Sequence, residues 1–170
     1  GTGEFTFEHG TIKLRVARDG WVSAHEALRT ELPFFSWLAG VDWTTDVTVG
    51  DPPESEDMID HYEVMSCLAD VTEGARVIVS VDLSKDDATL ETLTPVYRGA
   101  EWHEREAHEM FGIDFEGHPN LVKIYLPDGF EGHPLRKSYP LLSREVKPWP
   151  GTVDVEDMPS TENPEAGDAS

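Results

Sequence analysis

The chain has 170 residues, 34 of them Asp or Glu against 13 Lys or Arg, for a formal net charge of −21. That length suits one domain with a sizeable core, and the acidity argues against nucleic acid or anionic lipid as partners of the chain's own surface. The single cysteine, Cys67, allows neither an internal disulfide nor a cysteine-only iron–sulfur cluster, and fits a reducing compartment.

No basic-then-apolar leader opens the sequence, and no apolar run approaches the roughly 18–20 residues of a membrane span, so the chain reads as soluble. Gly1 in place of methionine suggests a processed, trimmed or incomplete start. Ile12, Leu14 and Val16 alternate within Thr11 to Val16, predicting a short strand closed by an Asp19-Gly20 turn. Ser23 precedes Glu26 by three residues, a capping-box pattern that predicts a helix to about Leu32, ended by Pro33. The aromatic run Phe34, Phe35, Trp37 and Leu38 follows, read either as core or as a partner-facing patch.

Val41 to Val49 is rich in threonine and valine and predicts a strand; Gly50 to Asp57, with its prolines and acids, predicts a loop. Tyr62 to Thr72 alternates, with Tyr62, Val64, Ser66 and Leu68 on one face, and Arg76 to Leu83 does the same with Val77, Val79, Val81 and Leu83. Glu73-Gly74 between them predicts a β-hairpin. Ala88 to Tyr97 is expected to form a short helix broken near Pro95.

A longer helix should begin near Ala100 and end at Gly112, a residue suited to a left-handed terminator. Val96, Ala100, His103, Ala107, Met110 and Phe111 fall on one face at helical spacing. Glu101, Arg105 and Glu109 lie four apart, an apparent ladder of opposite charges worth about 0.2–0.5 kcal/mol per pair if exposed. Three consecutive charges, Glu104-Arg105-Glu106, cannot all face solvent, because helical neighbours are about 100° apart; at least one turns towards protein. Together these elements predict an α+β fold: a small sheet with a β-hairpin, packed by helices, plus an extended C-terminal arm. The expected division is 1–116 for the α+β domain, 117–154 for the arm and 155–170 for an acidic tail without fixed structure.

Catalytic patterns are sparse. His103 and His108 imitate a zinc-protease helix but are five apart, about 140° around the axis, whereas chelation needs four. Phe-Glu-Gly-His-Pro occurs at Phe115–Pro119 and again at Phe130–Pro134, read as Gly-X-Pro turns whose imidazoles bond to backbone or carboxylate. Cys67, on an alternating strand, reads as an inert core thiol. No phosphate-binding glycine loop is present. No catalytic, cofactor-binding or metal-ligating residue is therefore expected. Between Gly117 and Lys147 the bases Lys123, Arg136, Lys137, Arg144 and Lys147 outnumber the acids Asp128, Glu131 and Glu145, an excess suited to a partner surface.

Glu104-Arg105-Glu106, then Glu109 with Met110-Phe111, then His118, resemble the signature of the C subunit of respiratory complex I, the proton-translocating NADH–quinone oxidoreductase. Gly129-Phe130-Glu131-Gly132-His133-Pro134-Leu135-Arg136-Lys137 is similar to a second block of that family. The resemblance is strong from Ala100 to Leu141 and weak before Tyr62; where the family usually carries two basic residues after Gly117-His118-Pro119, this chain has Val122-Lys123.

The resemblance implies a non-catalytic structural subunit of the peripheral arm, on the cytoplasmic side of a bacterial membrane and attached to it only through the complex. Its implied partners are the quinone-reducing D subunit and iron–sulfur subunits, and FMN, iron–sulfur clusters and quinone would reside in partners, with no cofactor in this chain. The implied signature and interface residues are Glu104, Arg105, Glu106, Glu109, His118, Pro119, His133, Pro134, Arg136 and Lys137. In that picture Glu104, Arg105 and Glu106 form buried or interfacial ion pairs, and Arg136 and Lys137 contact the partner. Two alternatives are the equivalent subunit of a related membrane-bound hydrogenase or non-NADH quinone reductase, and a stand-alone metal-dependent hydrolase using the histidines.

Overall fold

Residues 3–44 and 60–140 are described by the structure, a computed structural model. The chain divides into two units, Gly1–Tyr139 and Pro140–Ser170; all that follows concerns the first. Five strands, β1 (Glu4–Glu8), β2 (Thr11–Arg15), β3 (Phe34–Asp42), β4 (His61–Ala69) and β5 (Arg76–Ser84), form one sheet in the order β1-β2-β5-β4-β3. Helices α1 (Trp21–Leu28) and α2 (Ala100–Phe111) complete the domain with a second, two-stranded sheet of β6 (Thr89–Glu91) and β7 (Asp114–Glu116). The fold is α+β.

The expected hairpin is present: β4 and β5 pair antiparallel from His61↔Ser84 to Ala69↔Arg76, around Gly74 at φ 74°. Its alternation sorts the faces as expected, for Tyr62, Val64, Leu68, Val79, Val81 and Leu83 are all buried in the core. β2 joins β5 in parallel, and β1 returns on β2 through His9 and Gly10, both at positive φ as a tight two-residue hairpin requires.

Four expectations need correction. The capping box does not form: the N-cap is Gly20, three residues before Ser23, so α1 starts at Trp21, and Ser23 Oγ donates to the Gly20 carbonyl (3.1 Å) from inside the first turn. The fully buried Trp21 ring fixes that start, and the helix stops at Leu28 rather than Leu32. The aromatic run is the first half of β3, irregular between Phe35 and Trp37, so the strand begins at Phe34 and ends at Asp42. Within it Leu38 is core and Phe34 is exposed. Residues 45–49 of the expected Val41–Val49 strand, and the expected loop, lie outside the described residues.

The short helix expected over Ala88–Tyr97 is instead β6 followed by turns. Leu90 pairs with Phe115 of β7, and both are buried, so strand pairing wins over local helical spacing. The strand β1 was missed; Phe5 and Phe7 alternate with polar residues, but both stay largely exposed, at 74% and 68%.

α1 is tied to the sheet through His25, fully buried: its Nδ1–H donates to the Trp21 carbonyl (2.7 Å) and Ser66 Oγ donates to its Nε2 (2.6 Å). Burial lowers its pKa to about 4 despite the Trp21 carbonyl, so the ring is neutral. α2 crosses β3 at Gly40, where an added Cβ would stand 2.9 Å from the Phe111 ring. A glycine here permits the close approach that buries Phe111 and Ile113, each contributing roughly 1.5–3 kcal/mol of apolar transfer.

Candidate functional site

α2 runs from Ala100 to Phe111 and ends, as its sequence predicts, on Gly112 in the left-handed region at φ 71°. The way its charges are used differs from the expected ladder. Glu104, Arg105 and Glu109 are all buried, at 0%, 9% and 3% exposure. Among the described residues neither carboxylate has a Lys or Arg at ion-pair distance, and the Arg105 guanidinium has no Asp or Glu there. Each grips other groups of its own chain instead.

Glu104 Oε1 accepts the Leu93 N–H (2.6 Å), and Oε2 accepts the Thr92 hydroxyl (2.5 Å), in the turn after β6. His118 Nε2 stands 3.8 Å from the same Oε2. Desolvation raises the Glu104 pKa to about 7 against those two donors. His118 accepts the Asn120 N–H at Nδ1 (3.0 Å) and donates from Nε2 to the Glu101 carbonyl (3.1 Å), which makes it the neutral Nε2–H tautomer.

Arg105 reaches the segment beyond β7. Its Nε donates to the Val122 carbonyl (2.8 Å) and its Nη2 to the Lys123 carbonyl (3.1 Å), with the guanidinium 5.2 Å above the Trp102 ring. One turn on, Glu109 takes the next three residues by their N–H groups: Ile124 and Tyr125 at 2.9 Å, Leu126 at 2.7 Å. Desolvation opposes the Glu109 charge, but the three donors and the Lys123 ammonium outweigh it and hold its pKa below the usual carboxylate range. An irregular backbone with no strand partner thus finds its donors and acceptors on one helix face.

The second Phe-Glu-Gly-His-Pro motif closes the helix end. Gly112 N–H donates to the His108 carbonyl (2.8 Å), His133 Nδ1–H to Glu109 (2.8 Å), the Leu135 N–H to Met110 (3.2 Å) and Arg136 Nε to Phe111 (2.6 Å). All four terminal carbonyls of α2 are satisfied by these groups. Gly117 and Gly132 before the two histidines are both at positive φ, 80° and 88°. The repeated motif therefore places one imidazole on the Glu101 carbonyl and the other on the Glu109 carbonyl, about 12 Å apart along the helix. Among the described residues no group of three or more His, Cys, Asp or Glu side chains is arranged to hold a metal ion.

Lys137 donates its N–H to Asp42 Oδ2 and its ammonium to the Thr44 carbonyl, both at 2.9 Å. Asp42 also meets the Lys85 ammonium (2.7 Å) and the Thr44 hydroxyl (2.6 Å). Burial works against its charge, but these partners lower its pKa to about 2. Arg136 and Lys137 thus donate inward, to this chain's own groups. Glu106 makes no ion pair among the described residues and lines a small cavity with Leu38, Gly40 and Leu135; Pro119 is exposed and Pro134 half-buried. The sequence reading missed Asp42, Thr92 and Glu63; Glu63, buried at the sheet, takes the Lys13 ammonium (2.6 Å) and the Trp43 indole N–H (3.0 Å). The available signal was an acid within the alternating run of β4 for Glu63 and an acid directly after the apolar stretch of β3 for Asp42; Thr92 had none.

Residues 14–145 match the family described as respiratory-chain NADH dehydrogenase, 30 Kd subunit. The chain belongs to this family. The matched span takes in α2, both histidine turns and the segment they hold. A relative in Citrifermentans bemidjiense, the C subunit of NADH-quinone oxidoreductase, is 33% identical over 144 residues, which is 85% of this chain and 83% of the relative. A Pectobacterium atrosepticum protein, the C/D subunit of NADH-quinone oxidoreductase, is 41% identical over 97 residues; these are 57% of this chain but 16% of that longer protein. Among solved structures, a trypsin-resistant fragment of Nqo5 superposes with a TM-score of 0.57 at 25% identity, covering 70% of this chain and 89% of the fragment. A chain of an archaeal membrane-bound sulfane sulfur reductase shares the fold, with a TM-score of 0.67 at 23% identity over 82% of this chain and 78% of that one.

Proposed function

We propose that the chain is a non-catalytic structural subunit in the peripheral arm of a proton-translocating NADH–quinone oxidoreductase. The observation that carries this is the use of the signature charges: Glu104, Arg105 and Glu109 are buried and occupied in holding this chain's own segments. Groups so occupied position backbone and are not free to bind or transform a substrate. Family membership and the C-subunit relative support the setting.

The partner is the quinone-reducing D subunit, supported by the C/D relative, in which the matched segment lies within a longer chain. Iron–sulfur subunits adjoin it, and FMN, the clusters and quinone reside in partners rather than here. The complex sits at a bacterial membrane with this subunit on its cytoplasmic side; no helix among the described residues is long and apolar enough to cross a membrane.

The test is a complex purified through a tag on this chain. Co-purification of the quinone-reducing partner with NADH–quinone turnover, and loss of assembled complex on deletion of the gene, are expected. A complex that assembles and turns over at the wild-type rate without the chain overturns the proposal.

A further inference from the structure

A groove of about 460 Å³ lies between the end of α1, the start of β3 and the turn that leads into α2. Its walls are Arg29, Pro33, Phe35, Pro95, Val96, Tyr97, Arg98 and Gly99, with two guanidinium groups and no carboxylate. In a chain with 34 acids and 13 bases, such a lining departs from the rest of the surface.

The two arginines differ in role. Arg29 is held in place: its Nε donates to the Val96 carbonyl and its Nη1 to the Pro33 carbonyl, both at 3.1 Å, and it lies 4.9 Å over the Tyr97 ring. Arg98 is exposed, and among the described residues its guanidinium has no hydrogen bond or ion pair. Beneath them Phe35 and Tyr97 pack at 5.5 Å between centroids, and Pro33, Pro95 and Val96 add apolar wall.

We propose that this groove docks a short segment of a partner polypeptide that presents a carboxylate beside an apolar side chain. The carboxylate would take the free Arg98 fork, and the apolar side chain would cover Phe35 and the proline walls. A small anion alone would leave the apolar walls wet. Nucleic acid, and a second copy of a chain carrying −21, are opposed by the net charge. A single carboxylate segment is opposed much less, since charges beyond about 10 Å are screened at ordinary salt. This inference rests on the reading of the chain as part of a larger assembly.

The test places a benzophenone amino acid at Pro95 of the full chain, within the purified complex, and identifies the photo-crosslinked peptide. An Asp- or Glu-bearing peptide from another polypeptide of the complex is expected. Arg98→Glu should lower its yield about tenfold, Arg98→Lys should retain it, and reversing the partner's carboxylate to Lys should restore it in the Arg98→Glu background. Arg98 has no partner among the described residues, so these variants leave folding intact. Crosslinks between copies of this chain, a yield indifferent to Arg98→Glu, or no crosslink in a complex shown to contain the chain overturns the inference alone. Absence of the chain from any complex overturns the reading of it as part of an assembly, and this inference with it.

Discussion

His118 Nε2 lies 3.8 Å from Glu104 Oε2, and neither side chain exposes any surface to solvent. Desolvation outweighs the Thr92 hydroxyl and the Leu93 N–H that favour the charged carboxylate, and the Glu104 pKa stands at about 7. A pKa raised on folding means that the folded state binds the proton more tightly than the unfolded one. Its contribution to stability is complete below about pH 4.5 and is lost as pH rises to about 7, a change of about 3 kcal/mol. Asp42, Glu63 and Glu109, with lowered pKa values, act in the opposite sense at more acid pH. Glu104→Gln should therefore flatten the pH 4.5–7 part of the stability profile in urea titrations of the isolated chain. If wild type and variant keep parallel profiles, Glu104 is charged when buried and the assignment fails.

The grip of Glu109 on three consecutive N–H groups predicts the behaviour of the segment it holds. Glu109→Ala leaves those donors without their acceptor, at roughly 1–3 kcal/mol for each that water cannot reach. Trypsin should cut after Lys123 at least several-fold faster in the variant, while α2 helicity by circular dichroism changes little. An unchanged cleavage rate would mean that the segment is held by other contacts.

Gly112→Ala should be among the most damaging small substitutions. The left-handed backbone alone costs about 1–2 kcal/mol for a residue with a Cβ. That Cβ would also collide with the Arg136 guanidinium and the His133 ring, both of which cap α2. A lowered melting temperature together with trypsin access at Arg136 is expected; a stable variant with Arg136 protected would contradict the packing.

Arg105→Ala tests the structural role in the assembly. Val122 and Lys123 would lose a charged donor for their carbonyls, and Trp102 would lose its cation, with each hydrogen bond to the guanidinium worth about 1.5–3 kcal/mol. Less assembled complex, with turnover per assembled complex near wild type, is the expected outcome. Full assembly with turnover reduced about a hundredfold, the signature of lost transition-state stabilisation, would place α2 in catalysis.

What the sequence by itself determines here is local. The span of α2 and its stop at Gly112 follow from helical spacing and from a position that needs positive φ. The β4–β5 hairpin follows from two alternating runs around Glu73-Gly74. What tertiary structure decided is where the charges go and which short stretches become strands. Spacing of four makes Glu101, Arg105 and Glu109 look like an exposed ladder, and nothing local distinguishes that from three side chains turned towards another segment. Only the return of residues 118–136 along α2 supplies the carbonyls and N–H groups that outcompete the neighbouring charges, because it buries Arg105 and Glu109 where unpaired backbone must be satisfied. β6 and β7, three residues each, exist because Leu90 and Phe115 bury one another across the pair, a contact between residues 25 apart that no window of local sequence contains.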